Sequence, residues 1–174
     1  MSVSAYHTHN SEDTLLINLL KTMRPRQWSK NLLMIYLPFI FTIREYWKPF
    51  EPRMWSLLER ATIAFVLFCL ISGVVYLIND LVDIEKDRLH PTKRFRPLAS
   101  GALSKSNAVA ATVVLLLIAL PLSFALNLTF GVIAVIYFVT MLAYSYILKN
   151  LVIVDVFTLA AGLVLRAIAG AAAI

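Results

Sequence analysis

Four oxygen-bearing side chains recur in one stretch of this chain as Asn79-Asp80-x-x-Asp83-x-x-x-Asp87. On a helix turning about 100° per residue, Asp83, Asp87 and Asp80 fall about 40°, 80° and 100° from Asn79. All four then project within one arc along about 12 Å of helix axis, with Glu85 on the far side. Three carboxylates on one face repel each other unless a cation lies between them. Oxygen donors without His or Cys suit a hard ion, and Mg²⁺ takes one or two carboxylates together with phosphate oxygens and water. The expectation is therefore a site on this face for a divalent metal, Mg²⁺ by this chemistry, together with a diphosphate. The bland alternative is a solvated, charged helix end.

The next residues are Arg88-Leu-His90-Pro91-Thr-Lys93-Arg94-Phe-Arg96-Pro97-Leu-Ala-Ser-Gly101. Prolines and glycine mark a loop, and Arg88, Lys93, Arg94 and Arg96 load it with positive charge. Arginine grips phosphate in two-point geometry and lysine acts as a point charge. An acidic metal face beside a cationic loop is what diphosphate chemistry requires; an ordinary basic cytoplasmic loop is the alternative.

The elements that must position these residues are membrane helices. Hydrophobic residues make up 60% of the 174, charged ones 15%, and mean hydropathy is +0.77, whereas soluble domains carry about 25% charged residues. Apolar runs cover 28–43, 61–82, 108–126, 130–148 and 151–174, against the roughly 20 residues that cross a bilayer. The first run is short and contains Pro38, so length alone leaves it re-entrant or spanning. Charge decides for spanning. Lys21, Arg24, Arg26 and Lys30 precede it, and Lys86, Arg88, Lys93, Arg94, Arg96 and Lys105 fill 83–107. In 44–60 the cations are offset by Glu45, Glu51 and Glu59, with Trp47 and Trp55 as interfacial aromatics. The positive-inside rule puts both basic segments, the N-terminus and the candidate site in the cytoplasm. Residues 1–22, with His7 and His9, read as a polar cytoplasmic tail without a secretory leader. The net charge of +6 gathers beside apolar runs, which points to anionic lipid or phosphorylated substrates and not to nucleic acid. The single cysteine, Cys69, excludes an internal disulfide. The last run ends in Ala-Gly-Ala-Ala-Ala-Ile without an anchor, so the chain reads as the first part of a longer protein, inactive by itself.

Tyr76-x-x-Asn79-Asp80-x-x-Asp83-x-x-x-Asp87 followed by Arg96-Pro97-x-x-x-Gly101 resembles the first aspartate-rich motif of the UbiA superfamily of intramembrane prenyltransferases. His90-Pro91-Thr-Lys93-Arg94-Phe-Arg96-Pro97 and Met23-Arg24-Pro25-Arg26-Gln27-Trp28-Ser-Lys30-Asn31 resemble the decaprenyl-phosphate phosphoribosyltransferase branch. Tyr144-Ser145-x-x-Leu148-Lys149 and Gly162-Leu-Val-Leu-Arg166-Ala match it too, so that the likeness covers residues 21–174. It implies an all-α, multi-pass transmembrane bundle of about nine spans, of which five fall in 23–174, and a second acidic motif that this chain lacks.

The resemblance further implies phosphoribosyl pyrophosphate as donor, a polyprenyl (decaprenyl) phosphate as acceptor, Mg²⁺ as cofactor and a bacterial inner membrane as location; it leaves room for a homo-oligomer. Asn79, Asp83 and Asp87 would hold the metal at the leaving pyrophosphate, with Asp80 stabilising charge on the ribose. Arg24, Gln27, Lys30, Tyr76, Arg88, Lys93, Arg94, Arg96, Tyr144 and Lys149 are the expected substrate contacts. Trp28 reads as an interfacial anchor. Asp155 and Arg166, three turns apart within the fifth run, face either substrate or further spans. The alternatives kept open are prenyl transfer to an aromatic acceptor, and a non-catalytic scaffold or transporter fragment.

Overall fold

The computed structural model describes residues 14–46 and 52–174, and these form helices joined by short turns, without strands. His7, His9, Trp47 and Glu51 lie outside the described residues. Residues 14–23 form a first helix, α1, inside the stretch read as a tail. Its Leu15 and Leu19 pack into a small core and its Asn18 and Thr22 are buried, so apolar spacing outweighs the polar surroundings of these residues. Then come α2 (Trp28–Tyr46), α3 (Pro52–Val82), α4 (Ile84–Leu89), α5 (Pro97–Ser100), α6 (Lys105–Leu126), α7 (Leu128–Tyr146) and α8 (Val154–Ala173).

Four of these, α3, α6, α7 and α8, are long and apolar enough to cross a membrane. The fifth expected span is α2, a continuous 19-residue helix in spite of Pro38, packed against α3 and α8. Together they form an all-α membrane bundle. Its centre is α3, which touches α2, α6, α7 and α8 and buries residues on every side, as an all-round apolar helix must. Phe68 at its middle meets Phe130 and Tyr137 of α7 with ring centroids 5.6 and 5.2 Å apart. Ile35, Ile71, Met141 and Ala169 close the same core.

Helix contact within lipid relies on close packing of small residues. Gly170 of α8 lies against the backbone of α2, where a methyl group would sit 2.5 Å from the Ile35 carbonyl oxygen. At one end of the bundle Arg60 donates to the carbonyls of Ala173 (2.7 Å) and Leu126 (3.4 Å), drawing the ends of α8 and α6 onto α3. At the other end a second core of Met23, Leu77, Ile84, Leu98 and Leu103 fixes α1, α4 and α5 beneath the bundle. Trp28 packs into this core with its Nε1 buried and no hydrogen-bond partner among the described residues.

A candidate phosphate and metal site at the end of the bundle

The acidic stretch does not form one continuous helical face. Helix α3 stops at Val82, Asp83 takes φ −95° and ψ 6°, and α4 starts afresh at Ile84. Hydrogen bonds still run from Asp83 N to Asn79 O and from Asp87 N to Asp83 O, so the chain bends at Asp83 without losing its ladder. The four side chains divide into two sets.

Asn79 and Asp83 face a cavity of about 460 Å³. There Lys149 Nζ donates to both Asp83 oxygens at 2.7 and 2.6 Å and lies 3.4 Å from Asn79 Oδ1. Asp80 and Asp87 turn the other way and are almost wholly buried. Asp80 Oδ1 accepts from Arg24 Nη2 (2.5 Å) and Arg96 Nη1 (3.3 Å), and Arg96 Nη1 also donates to Asp87 Oδ2 (2.7 Å). Two buried carboxylates thus share two guanidinium groups, so neither charge is left uncompensated.

Local sequence explains how both arginines arrive. Arg24 adopts left-handed φ 55°, ψ 64° ahead of Pro25, a conformation that costs a non-glycine residue energy. It turns the guanidinium onto Asp80 and over the Tyr76 ring, 4.8 Å from the centroid. Arg96 precedes the one-turn helix α5, which Pro97 opens and Gly101 closes at φ 83°, the usual places for these residues. The turn before it is set by His90 Nδ1, which accepts from the amides of Thr92 and Lys93.

Of the expected substrate contacts, Arg24, Gln27, Lys30, Tyr76, Lys93, Arg96, Tyr144 and Lys149 line the cavity. Arg88 and Arg94 do not: Arg88 is held by Glu85 and the Ala99 carbonyl, and Arg94 stacks on the exposed ring of Phe95. Asp80 and Asp87 are absent from the lining too, since their oxygens are engaged by arginine. The side chains expected on one face are thus divided, Asn79 and Asp83 at the cavity and Asp80 and Asp87 on the arginines. Among the described residues no group of three His, Cys, Asp or Glu side chains converges to hold a metal ion. Asn79 and Asp83 still present hard oxygens that together grip one cation, the Lys149 ammonium. Such a pair suits Mg²⁺ when phosphate and water complete the shell.

Deeper in the cavity stands Arg166, which together with Asp155 was expected to face substrate or further spans. Asp155 instead accepts from the Val156 amide at the start of α8. Arg166 is buried and its partners lie within this chain: Nε donates to Asn31 Oδ1 (2.7 Å), Nη1 to the Gly162 carbonyl (3.0 Å) and Nη2 to the Tyr137 hydroxyl (2.7 Å). Asn31 continues to Ser72 Oγ at 2.9 Å. Sequence reading missed the roles of Asn31 and Tyr137, although a polar residue within an apolar run was the available signal. Val75, Met141, Leu159 and Leu163 supply the apolar walls.

A helical membrane bundle that gathers amide and carboxylate oxygens with arginine and lysine around a cavity at one end defines the class: a multi-pass membrane protein with a charged candidate site. The chain belongs to the UbiA prenyltransferase family, whose pattern it matches over residues 46–174. It is 36% identical over 173 residues to the decaprenyl-phosphate phosphoribosyltransferase of Mycolicibacterium smegmatis, covering 99% of this chain and 53% of that protein. To the enzyme of the same name from Corynebacterium glutamicum it is 37% identical, covering 89% and 46%. The fold matches a UbiA homologue from Archaeoglobus fulgidus solved bound to DMAPP and Mg²⁺, with TM-score 0.75 and 25% identity over 89% of this chain and 54% of that one. The chain thus spans about half the length of these relatives.

Proposed function

We propose that this chain carries the donor site of a membrane transferase that moves the 5-phosphoribosyl group from phosphoribosyl pyrophosphate to a polyprenyl phosphate, releasing pyrophosphate. The carrying observation is the charge of the cavity: Arg24, Lys30, Lys93, Arg96, Lys149 and Arg166 line it against one carboxylate, Asp83. Arg24, Arg96 and Lys149 are in ion pairs; Lys30, Lys93 and Arg166 have none among the described residues. A prenyl diphosphate offers one charged group. Phosphoribosyl pyrophosphate offers two, and its acceptor a third. The names of the relatives from Mycolicibacterium and Corynebacterium agree with the more heavily phosphorylated pair.

Asn79 and Asp83 would hold Mg²⁺, which when bound neutralises charge on the departing pyrophosphate. Lys149, which grips those same oxygens, is placed to move onto the pyrophosphate. Lys30 and Lys93 add charge-assisted contacts at the rim. The bond between ribose C1 and the pyrophosphate oxygen breaks with its electron pair leaving on oxygen, and an oxygen of the lipid phosphate forms the new bond to C1. The nucleophile is already an anion, so the site needs no general base. Asp80 and Asp87 act as positioning residues that hold Arg24 and Arg96 at the rim.

A second reading, prenyl transfer to an aromatic acceptor, is favoured by the apolar walls and by the DMAPP bound in the Archaeoglobus relative. Membranes carrying the full-length protein decide between the two. Label reaching the lipid from phosphoribosyl pyrophosphate with polyprenyl phosphate supports the proposal. Prenylated aromatic product without phosphoribosyl lipid assigns the second reading.

A further inference from the structure

Arg166 is the most deeply placed ionised group of the cavity and the one whose environment asks for an anion. Its side chain is 7% exposed, it lies within α8, and it forms no ion pair with a carboxylate of the described residues. A guanidinium has five N–H donors. Three are engaged, by Asn31, Gly162 and Tyr137. One N–H remains on each terminal nitrogen, leaving two donors for the oxygens of a phosphate. The group is prepositioned, since three partners on α2, α7 and α8 and the Tyr137 ring beneath it fix it in place. A charge so buried within a membrane helix is costly unless function retains it.

Depth separates this group from the metal end. Asn31 ties Arg166 to the level of Ser72, seven residues before Asn79 on α3, or about 10 Å along the helix. That is of the order of the separation between two phosphates borne on either side of a sugar. An isoprenoid chain reaching the same depth would lay hydrocarbon against a bare guanidinium.

We propose that Arg166 is the seat of a second substrate phosphate, distinct from the diphosphate at Asn79 and Asp83. This rests on the phosphoribosyl transfer proposed above. A phosphate monoester is the chemistry it takes, and the two sources are the 5-phosphate of the donor and the phosphate of the lipid acceptor.

The test compares the wild type with Arg166→Gln and Arg166→Lys in membranes, with KM measured separately for both substrates and for ribosyl 1-pyrophosphate, a donor without the 5-phosphate. If the seat holds the donor, Arg166→Gln raises KM for phosphoribosyl pyrophosphate tenfold to a hundredfold and leaves KM for the truncated donor unchanged. If it holds the acceptor, only KM for polyprenyl phosphate rises. Either result supports the proposal, and partial recovery in Arg166→Lys strengthens it. A fall in kcat and in melting temperature with both KM values unchanged overturns it, because a purely structural clamp behaves that way. Should the Gln variant not accumulate, phenylglyoxal modification of Arg166 in the wild type, read by mass spectrometry, takes its place. Protection by ribose 5-phosphate or a short-chain polyprenyl phosphate supports the seat, and protection by neither removes it. Failure of the underlying reading looks different: wild-type membranes then transfer prenyl and no phosphoribosyl.

Discussion

Asp83, paired with Lys149, is the most exposed of the three aspartates in the acidic cluster, and removing its charge has its own signature. Asp83→Ala deletes the carboxylate that faces the cavity, so Mg²⁺-dependent transfer should vanish while the amount of protein in the membrane stays at the wild-type level. Turnover surviving in that variant, or in excess chelator, would take the metal out of the mechanism. The buried set behaves otherwise. Arg96 serves both Asp80 and Asp87, so Arg96→Ala leaves two carboxylates short of a counter-charge. Breaking such a buried pair costs about 3–5 kcal/mol, which should lower the melting temperature in detergent. Adding Asp87→Asn to that variant should recover part of the loss. If the double variant melts below the single one, the shared-charge account is wrong.

The elements are held in place by features small enough to miss in a hydropathy profile. Gly170 permits the backbones of α2 and α8 to meet, and through that contact Asn31 reaches Arg166. Gly170→Leu should push α2 away, loosen the Arg166 network and lower thermal stability, an overpacking cost of about 1–3 kcal/mol. Thermal unfolding reads the stability, and phenylglyoxal labelling reads the exposure of Arg166, which should rise. Unaltered melting and labelling would show that the α2–α8 contact is dispensable. On the same scale, one acidic run serves two purposes, since Asn79 and Asp83 face the cavity whereas Asp80 and Asp87 turn to Arg24 and Arg96.

For the molecule as a whole, the arrangement of charge predicts an orientation that the bundle's geometry leaves open. Cysteines placed singly at Ser104 and Ser56, both at exposed positions, should label from opposite sides, with Ser104 on the cytoplasmic side. Cys69 is buried, so the native thiol adds little background. Labelling of both sites from one side would mean that α3 does not cross the membrane.

What the sequence determined by itself was the class. Composition demanded a lipid-facing bundle, the apolar runs located its helices, and the Asn79–Asp87 spacing with the Arg96-Pro97 loop marked the end where the candidate site lies. These are local properties, readable from neighbours in the chain. Tertiary structure decided how the charges are shared. Spacing put Asn79, Asp80, Asp83 and Asp87 on one face, and it could not show that Arg24, 56 residues from Asp80 in the chain, would claim that carboxylate, or that Lys149 would reach Asp83. It left Arg166 facing either substrate or further spans, whereas packing delivered Asn31 and Tyr137 to it. A buried charge is stabilised by whichever partner the packed helices bring within about 3 Å, and that partner is chosen by the crossing of helices far apart in sequence.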